Sequence, residues 1–273
     1  MSNESHRETF LKQGFLVIPN AVSSVLCREA RERAWHLAET LVPPDDALPF
    51  STAPDIKVRD QYFLESARTV RLFNEPAEAG HPDGTSKPNK IGHALHDRDP
   101  FFKRFARLPI FEDVAESIGL QNPRLVQSML MFKTAQGGGE VNWHQDDTFL
   151  RCEPFPIVGF WIALEPATTA NGCLHVVEGG HGGAVDGRFG LDQHGQPAWL
   201  TPRRMTSHPK MTQPIEVAEG SLVVIHGRLP HASFPNLSRR SRLAFTLHLM
   251  DARSRYAHDN WLQLRSDESW STF

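Results

Sequence analysis

The stretch Asn142-Trp143-His144-Gln145-Asp146-Asp147 is the part of the chain from which its fold and site can be predicted. His144 and Asp146 are two residues apart, so an extended strand would direct both side chains to one face. A second histidine from another strand would complete two histidines and one carboxylate on one side of a metal, the usual ligand set of non-haem Fe(II). His231 is the candidate third ligand. Strand alternation sends Asp147 to the opposite face, where we expect a solvated carboxylate.

His226 is the main rival of His231 because it lies only five residues earlier. It ends a predicted strand and has no arginine at the matching interval, whereas Arg242 follows His231 after eleven residues. The planar fork of an arginine pairs with a carboxylate at two points. Ser233 would share the face of His231 in an extended segment. A small dicarboxylate held by Arg242 and Ser233 could then present its other end to the metal.

Composition and charge narrow the class of protein. The chain has 273 residues, 40% of them hydrophobic and 22% charged, with a formal net charge of −3. These values give no electrostatic reason to expect nucleic acid or an anionic membrane as a partner. Three widely spaced cysteines do not form a disulfide framework, and no stretch approaches the ~20 apolar residues of a membrane span. We expect a cytoplasmic location and neither a nucleic-acid nor a membrane partner.

The apolar periodicity divides the chain into a helical and a β-rich part. Helices are predicted over 6–13, 24–41 and 101–119, the last one split at Pro109, with short strands at 15–19, 62–64 and 70–73. Further strands are predicted at 125–132, 140–146, 157–164, 172–177, 215–217, 221–226 and 243–250. Residues 179–213 are rich in Gly, Pro and His and predict a long lid or binding loop. The prediction is mainly β with α: one domain over 1–273, with a helical third (about 1–120) packed on a β-sandwich core (about 121–265).

The order His144-x-Asp146, His231 and Arg242 resembles the phytanoyl-CoA dioxygenase family of Fe(II)/2-oxoglutarate oxygenases. The likeness runs from about Gln13 to Leu264. Within the family, the chain is most similar to the subgroup called phytanoyl-CoA dioxygenase domain-containing protein 1. Residues 182–212 are the part that matches least. The further segments that carry the resemblance are Lys90-Ile91-Gly92-His93-Ala94-Leu95-His96, Gln127-Ser128-Met129, Gly138-Gly139-Glu140-Val141, Asn171-Gly172-Cys173-Leu174, Arg242 to Met250 and Asn260-Trp261-Leu262.

The resemblance implies a double-stranded β-helix, or jelly roll, with His144, Asp146 and His231 as iron ligands. The implied cofactor set is Fe(II), 2-oxoglutarate as co-substrate, and O2. The implied reaction hydroxylates an unactivated C–H bond of a small organic substrate while 2-oxoglutarate is decarboxylated to succinate and CO2. The implied contacts to 2-oxoglutarate come from Lys90, Met129, Trp161, Ser233 and Arg242. From the residues alone, Trp161 fits a core position as well as a contact to 2-oxoglutarate. The assignment of Lys90 as such a contact depends on the resemblance.

Two other readings stay open at this point. One is a non-catalytic jelly-roll protein that binds a metal without turnover. The other is a zinc hydrolase or isomerase, because two histidines and a carboxylate also suit catalytic zinc. The intact ligand set argues against the first, and Arg242 argues against the second, since a hydrolase needs no 2-oxoglutarate anchor. The primary substrate and the oligomeric state are not readable from the sequence, although no basic run suggests an acyl-CoA.

Overall fold

The computed structural model describes residues 3–44, 47, 61–75, 87–203 and 209–273. Six helices lie in these ranges: α1 Asn3–Gln13, α2 Ser24–Thr40, α3 Gln61–Glu65, α4 Leu95–Arg98, α5 Pro100–Phe105 and α6 Pro109–Ser117. The strands are β1 Phe15–Ile18, β2 Val70–Asn74, β3 Pro88–His93, β4 Arg124–Lys133, β5 Val141–His144, β6 Cys152–Glu153, β7 Val158–Ala163, β8 Leu174–Val176, β9 Arg188–Leu191, β10 Pro197–Thr201, β11 Gln213–Ile215, β12 Leu222–His226, β13 His231–Ser233, β14 Arg242–Met250 and β15 Arg255–Tyr256.

Two antiparallel sheets form the core of the fold. The large sheet has seven strands in the order β1-β12-β7-β14-β4-β3-β2, and the small sheet has four in the order β11-β8-β13-β5. Apolar side chains from both sheets pack between them, among them Trp161 and Val223 from the large sheet and Leu174 and Val176 from the small one. The predicted jelly roll is confirmed. Strands β1, β2 and β3 from the predicted helical third extend the large sheet.

The helices cover the outer face of the large sheet. In α2 the buried residues Cys27, Ala30, Ala34 and Leu37 recur every three or four positions, so one side of the helix faces the core. The hydroxyl of Ser23 accepts a hydrogen bond from the Leu26 amide and caps this helix. Because helices cover one face and the small sheet covers the other, β7 and β14 are buried along their whole length.

Three local predictions are wrong. Residues 62–64, predicted as a strand, lie in α3, because a short apolar run suits a buried helix turn as well as a strand. The strand predicted over 140–146 ends at His144. The predicted loop 179–213 contains the hairpin of β9 and β10, paired in antiparallel fashion.

Other predicted features agree with the structure, and part of one predicted loop falls on residues that the structure does not describe. The split at Pro109 separates α5 from α6. None of the three cysteines forms a disulfide bond, and all three are buried. Residues 204–208 of the predicted loop 179–213 lie outside the described residues. Within the described ranges, no helix combines the length and apolar character needed to cross a membrane.

Candidate metal centre

His144, Asp146 and His231 meet between the two sheets, with their ligand atoms all within 4.8 Å of one another. His144 at the end of β5 is the cross-strand partner of His231 at the start of β13. The Nε2 atom of each histidine lies 3.7 Å from Oδ1 of Asp146. The two imidazoles and the carboxylate therefore converge on one point, the arrangement of a facial metal site.

Asp146 reaches this point from a turn and not from a strand. It begins a 3₁₀ turn over Asp146–Thr148, directly after β5, and the amide of Asp147 donates to the carbonyl of Gly227 at 2.9 Å. The prediction of a solvated Asp147 is wrong because its carboxylate is fully buried and accepts a hydrogen bond from Nε of Arg228 at 3.2 Å. Burial raises the pKa of Asp147, against the smaller opposing effect of Arg228.

Backbone carbonyls fix the tautomers of both histidines. A carbonyl can only accept, so Nδ1 of His144 donates to Asn142 O at 2.8 Å, and Nδ1 of His231 donates to Leu229 O at 2.9 Å. Each Nε2 therefore keeps its lone pair toward Asp146, as a metal ligand must. Burial, with the nearby His231, lowers the pKa of His144 to about 3, so its imidazole stays neutral.

A third histidine, His248 on β14, contacts the carboxylate of Asp146 from the other side. Its Nε2 lies 3.4 Å from Oδ2 of Asp146. Burial opposes ionisation of this carboxyl, but the surrounding histidines outweigh it and hold the pKa of Asp146 below its ordinary value. This contact leaves Oδ1 for the metal. Sequence reasoning missed this role, although His248 lies an even number of residues from Arg242 and so shares its face.

Arg242 lines a cavity that extends from the metal ligands. The side chain is 2% exposed, and its Nη2 donates to the hydroxyl of Ser233 at 3.3 Å. Its Cζ lies 5.5 Å from the centroid of the Trp161 ring. Within the described part of the chain, Nε and Nη1 of Arg242 have no hydrogen-bond partner. Two unpaired donors on a buried guanidinium fit a carboxylate ligand, because such a charge is otherwise costly to bury.

Lys133 is the buried cross-strand partner of Arg242. The Lys133 ammonium donates to the carbonyl of Gly139 and, at 3.3 Å, to that of Ser233. Burial and the charge of Arg242 lower the pKa of Lys133 well below its usual value, while burial lowers that of Arg242 to about 10. Arg242 therefore remains charged at neutral pH, and this end of the cavity favours an anion.

The five residues assigned to the co-substrate by resemblance do not all line one cavity. Trp161, Ser233 and Arg242 line the Arg242 cavity, and Met129 lines both this cavity and a neighbouring one. Lys90 lines only the neighbouring cavity, where its Nζ lies 5.4 Å from the centroid of the Phe73 ring. The two cavities meet at His144, Asp146, Met129 and His248.

Gln145, between the two metal-ligand candidates, ties this turn to the segment before β9. Its Oε1 accepts from the Asp186 amide at 2.6 Å, and its Nε2 donates to the Arg228 carbonyl at 2.7 Å. Asp186 in turn accepts a hydrogen bond from Arg203 at 3.1 Å. Part of the predicted 179–213 loop is therefore bonded to the turn that carries Asp146.

His226, the rival ligand, lies outside the cluster. Its ring packs beside Phe10 and His181, with ring centroids 5.7 Å and 4.9 Å away. Its Nδ1 accepts a hydrogen bond from the Arg228 amide at 3.1 Å, which protonation would break. Burial, followed by the charges of His181 and Arg228, lowers the pKa of His226 to about 4.

This lowered pKa predicts a loss of stability in acid. Between about pH 6.5 and 4 the unfolded chain binds a proton at His226 and the folded chain does not, so stability falls as the pH falls. The parent loses free energy of unfolding as the pH falls through this range. We expect His226→Asn to lose less of it, by on the order of 2 kcal/mol after allowance for partial solvent screening. Urea unfolding measured from pH 7 to 4 checks the slope, with exposed His258→Asn as control. Parallel curves for His226→Asn and the parent would contradict the prediction.

A jelly roll that carries two histidines and one carboxylate beside a buried arginine defines a class of protein: the non-haem iron oxygenases. Comparison with known proteins gives the family. A family model described as phytanoyl-CoA dioxygenase (PhyH) matches residues 10–244. The chain belongs to the phytanoyl-CoA dioxygenase family.

Curated relatives match nearly the whole chain. The phytanoyl-CoA dioxygenase domain-containing protein 1 of Bos taurus is 38% identical over 277 residues, which cover 95% of this chain and 94% of the relative. A phytanoyl-CoA dioxygenase of Arabidopsis thaliana is 37% identical over 264 residues, covering 93% and 91%. The predicted family and subgroup are thus both found among the relatives.

Solved structures share the fold at lower identity. The carbocyclase SnoK from nogalamycin biosynthesis, a non-haem alpha ketoglutarate-dependent protein, superposes with a TM-score of 0.66 at 18% identity, covering 94% of this chain and 88% of that one. The epimerase SnoN, in complex with Fe3+, alpha ketoglutarate and nogalamycin RO, gives a TM-score of 0.68 at 15% identity, covering 98% and 91%. At these identities the likeness concerns the fold.

Proposed function

We propose that the protein is an Fe(II)- and 2-oxoglutarate-dependent dioxygenase that hydroxylates an unactivated C–H bond of a small organic substrate. The observation that carries this proposal is the buried Arg242, whose Nε and Nη1 lack partners within the described residues. Its cavity also contains His144, Asp146 and His231. A 2-oxo diacid is the kind of ligand that has a carboxylate for the arginine and a chelating end for the metal.

Each residue then has a defined task. His144, Asp146 and His231 would hold Fe(II) through Nε2, a carboxylate oxygen and Nε2. Arg242 and Ser233 would bind the distal carboxylate of 2-oxoglutarate, with the Trp161 ring against the guanidinium. Bound Fe(II), 2-oxoglutarate and O2 would supply the oxidation, giving succinate, CO2 and a hydroxylated product.

Met129 and Lys90 complete the proposed co-substrate contacts. Met129 lines both the Arg242 cavity and the neighbouring cavity that Lys90 lines. Lys90 would approach the co-substrate across Met129, from the neighbouring cavity. The support for this assignment is the family resemblance together with the burial of the ammonium, which is 1% exposed.

The alternatives gain less support. A zinc hydrolase with the same ligands would not explain why two donors of the buried Arg242 are unpaired. A non-catalytic metal-binding protein would not explain why this charge is buried, since burying it is costly. We also propose that residues 1–273 form one domain, since strands from 15–93 and from 124–250 share the large sheet.

The test is anaerobic. Fe(II) and then 2-oxoglutarate are added to the purified protein, and the visible charge-transfer band of a chelated 2-oxo acid is measured. Oxygen is then admitted and succinate is assayed. A band followed by succinate supports the oxygenase, and a protein that binds Fe(II) without forming the band would contradict it. A Zn(II)-loaded sample, which gives no such band, is the control.

A further inference from the structure

The two carboxylate oxygens of Asp146 have different neighbours. Oδ1 lies 3.7 Å from Nε2 of His144 and 3.7 Å from Nε2 of His231, on the side where the ligand atoms converge. Oδ2 lies 3.4 Å from Nε2 of His248 on β14. One oxygen therefore lies among the metal-ligand candidates, and the other lies against a strand of the large sheet.

The buried ring of His248 has its polar contact at this oxygen. The residue is 5% exposed, and its Nδ1 has no hydrogen-bond partner among the residues that the structure describes. A neutral imidazole carries one N–H and a carboxylate can only accept, so the tautomer with its proton on Nε2 fits the contact with Asp146. Burying an imidazole is costly unless it has a polar partner, and Asp146 supplies one.

The strand beside β14 leaves room for the same oxygen. Gly159 on β7 is the cross-strand partner of His248 and is buried. Its φ lies outside the left-handed region, so its backbone does not require glycine. A Cβ added to Gly159 would lie 3.1 Å from Oδ2 of Asp146 and 3.7 Å from Nε2 of His248. Glycine weakens the interior of a strand, and here it marks the close approach of the Asp146 carboxylate.

We propose that His248 and Gly159 are positioning residues of the metal centre, which together fix the orientation of the Asp146 carboxylate. In the metal-bound protein, Nε2 of His248 donates to Oδ2, and Gly159 leaves the space that Oδ2 occupies. Asp146 then binds the metal through Oδ1 alone. The inference rests on the ligand set of the proposed function and adds two residues that support one of its ligands.

The orientation of this carboxylate matters because a carboxylate can bind a metal through one oxygen or through both. A facial set of two histidines and one carboxylate leaves the opposite positions open. A second oxygen from Asp146 would take up one of these open positions. Holding Oδ2 against β14 and β7 prevents this.

The test replaces His248 with leucine and, separately, with glutamine. Calorimetry under anaerobic conditions measures the affinities for Fe(II) and Co(II), and the visible d–d bands of bound Co(II) report the coordination geometry. His248→Leu should bind both metals about 10–100-fold more weakly than the parent and should change the Co(II) bands. His248→Gln should recover part of the affinity and of the parental spectrum, since its carboxamide keeps an N–H donor.

Leu247→Val is the matched control for a general disturbance of the strand. Leu247 precedes His248 on β14 and packs with the helices in the core on the opposite face of the sheet. This variant should lower the Tm and leave the metal affinities and Co(II) bands unchanged. If it weakens metal binding as much as His248→Leu does, the effect is only structural and the proposal is overturned. Parent-like affinities and bands in folded His248→Leu would overturn it as well.

Gly159→Ala tests the second residue. The added methyl group should displace Oδ2 by a few tenths of an ångström and change the Co(II) bands. Gly182→Ala is the control, because no described residue has an atom within 4 Å of a Cβ at that position. Since both residues act on one oxygen, the losses of metal affinity in Gly159→Ala and His248→Leu should not add in the double variant. Additive losses would contradict the shared role.

The parent protein separates this proposal from the proposed function. A parent that binds both metals but forms no charge-transfer band with 2-oxoglutarate contradicts the oxygenase. The metal affinities and Co(II) bands of the variants then still decide on His248 and Gly159. A parent that binds neither metal overturns both proposals.

Discussion

Replacing His144 with alanine is expected to abolish Fe(II) binding under conditions where the parent protein is saturated. Its Nε2 is one of three converging ligand atoms, and its Nδ1 is already committed to the carbonyl of Asn142. Loss of a residue that only supports a ligand costs 10–100-fold in metal affinity, so loss of the ligand itself should exceed about 100-fold. Anaerobic Fe(II) titration monitored by calorimetry measures the effect.

The matched control is His36→Ala, which removes an exposed histidine of α2. It should bind Fe(II) as the parent does. Circular dichroism of both variants checks that the fold is kept, so that metal loss is not confused with unfolding. If folded His144→Ala binds Fe(II) as tightly as the parent does, the proposed centre is excluded and other residues must bind the metal.

Replacing Arg242 with methionine is expected to leave Fe(II) binding intact and to weaken 2-oxoglutarate binding by roughly 2–5 kcal/mol. The loss arises because the co-substrate carboxylate would be buried without its cation. Titration of the Fe(II)-loaded variant with 2-oxoglutarate, followed at the charge-transfer band, measures the change. Arg242→Lys should recover only part of the affinity, since an ammonium cannot offer the planar fork.

Although Arg242→Met should weaken 2-oxoglutarate binding, it should not lower the stability of the ligand-free protein. Without a ligand, Arg242 is a desolvated charge with two unpaired donors beside Lys133, so its replacement by an apolar side chain of similar length should be neutral or stabilising. We expect Arg242→Met to melt at or above the Tm of the parent, and to gain nothing when 2-oxoglutarate is added. The parent should gain stability from the ligand by mass action. Exposed Arg240→Met is the control, and a ligand-induced Tm shift equal to that of the parent would contradict the anchor.

Alternation along strands was a sound guide to which side chains share a face. It correctly groups His231 with Ser233 on β13, and it would have grouped His248 with Arg242 on β14 had it been applied to the whole strand. It failed for residues 62–64, where three apolar residues fit either period. The local pattern therefore predicts which side chains share a face once the segment is known to be a strand, but three apolar residues cannot tell a strand from a helix turn.

What the sequence could not predict depends on partners far along the chain. Asp147 is buried because Arg228 approaches it, 81 residues later. Asp146 lies in a turn closed by the carbonyl of Gly227. Lys90 lines the second cavity because β3 pairs with β4 so that Lys90 lies opposite Met131, a register that no local pattern encodes.

Strand β14 carries Arg242 at its first position and His248 six positions later, both facing inward. If Arg242 is the carboxylate anchor, as proposed, this strand fixes its spacing from His248, which contacts the metal-ligand candidate Asp146. Backbone geometry would then set the length of diacid that fits, so a longer or shorter side chain at one position would not adapt the site to a homologue of different length. A single residue inserted between these two positions would turn one of them outward. Chain-length selectivity in this protein should therefore change through shifts in strand pairing, and point substitution should alter affinity without altering the preferred length.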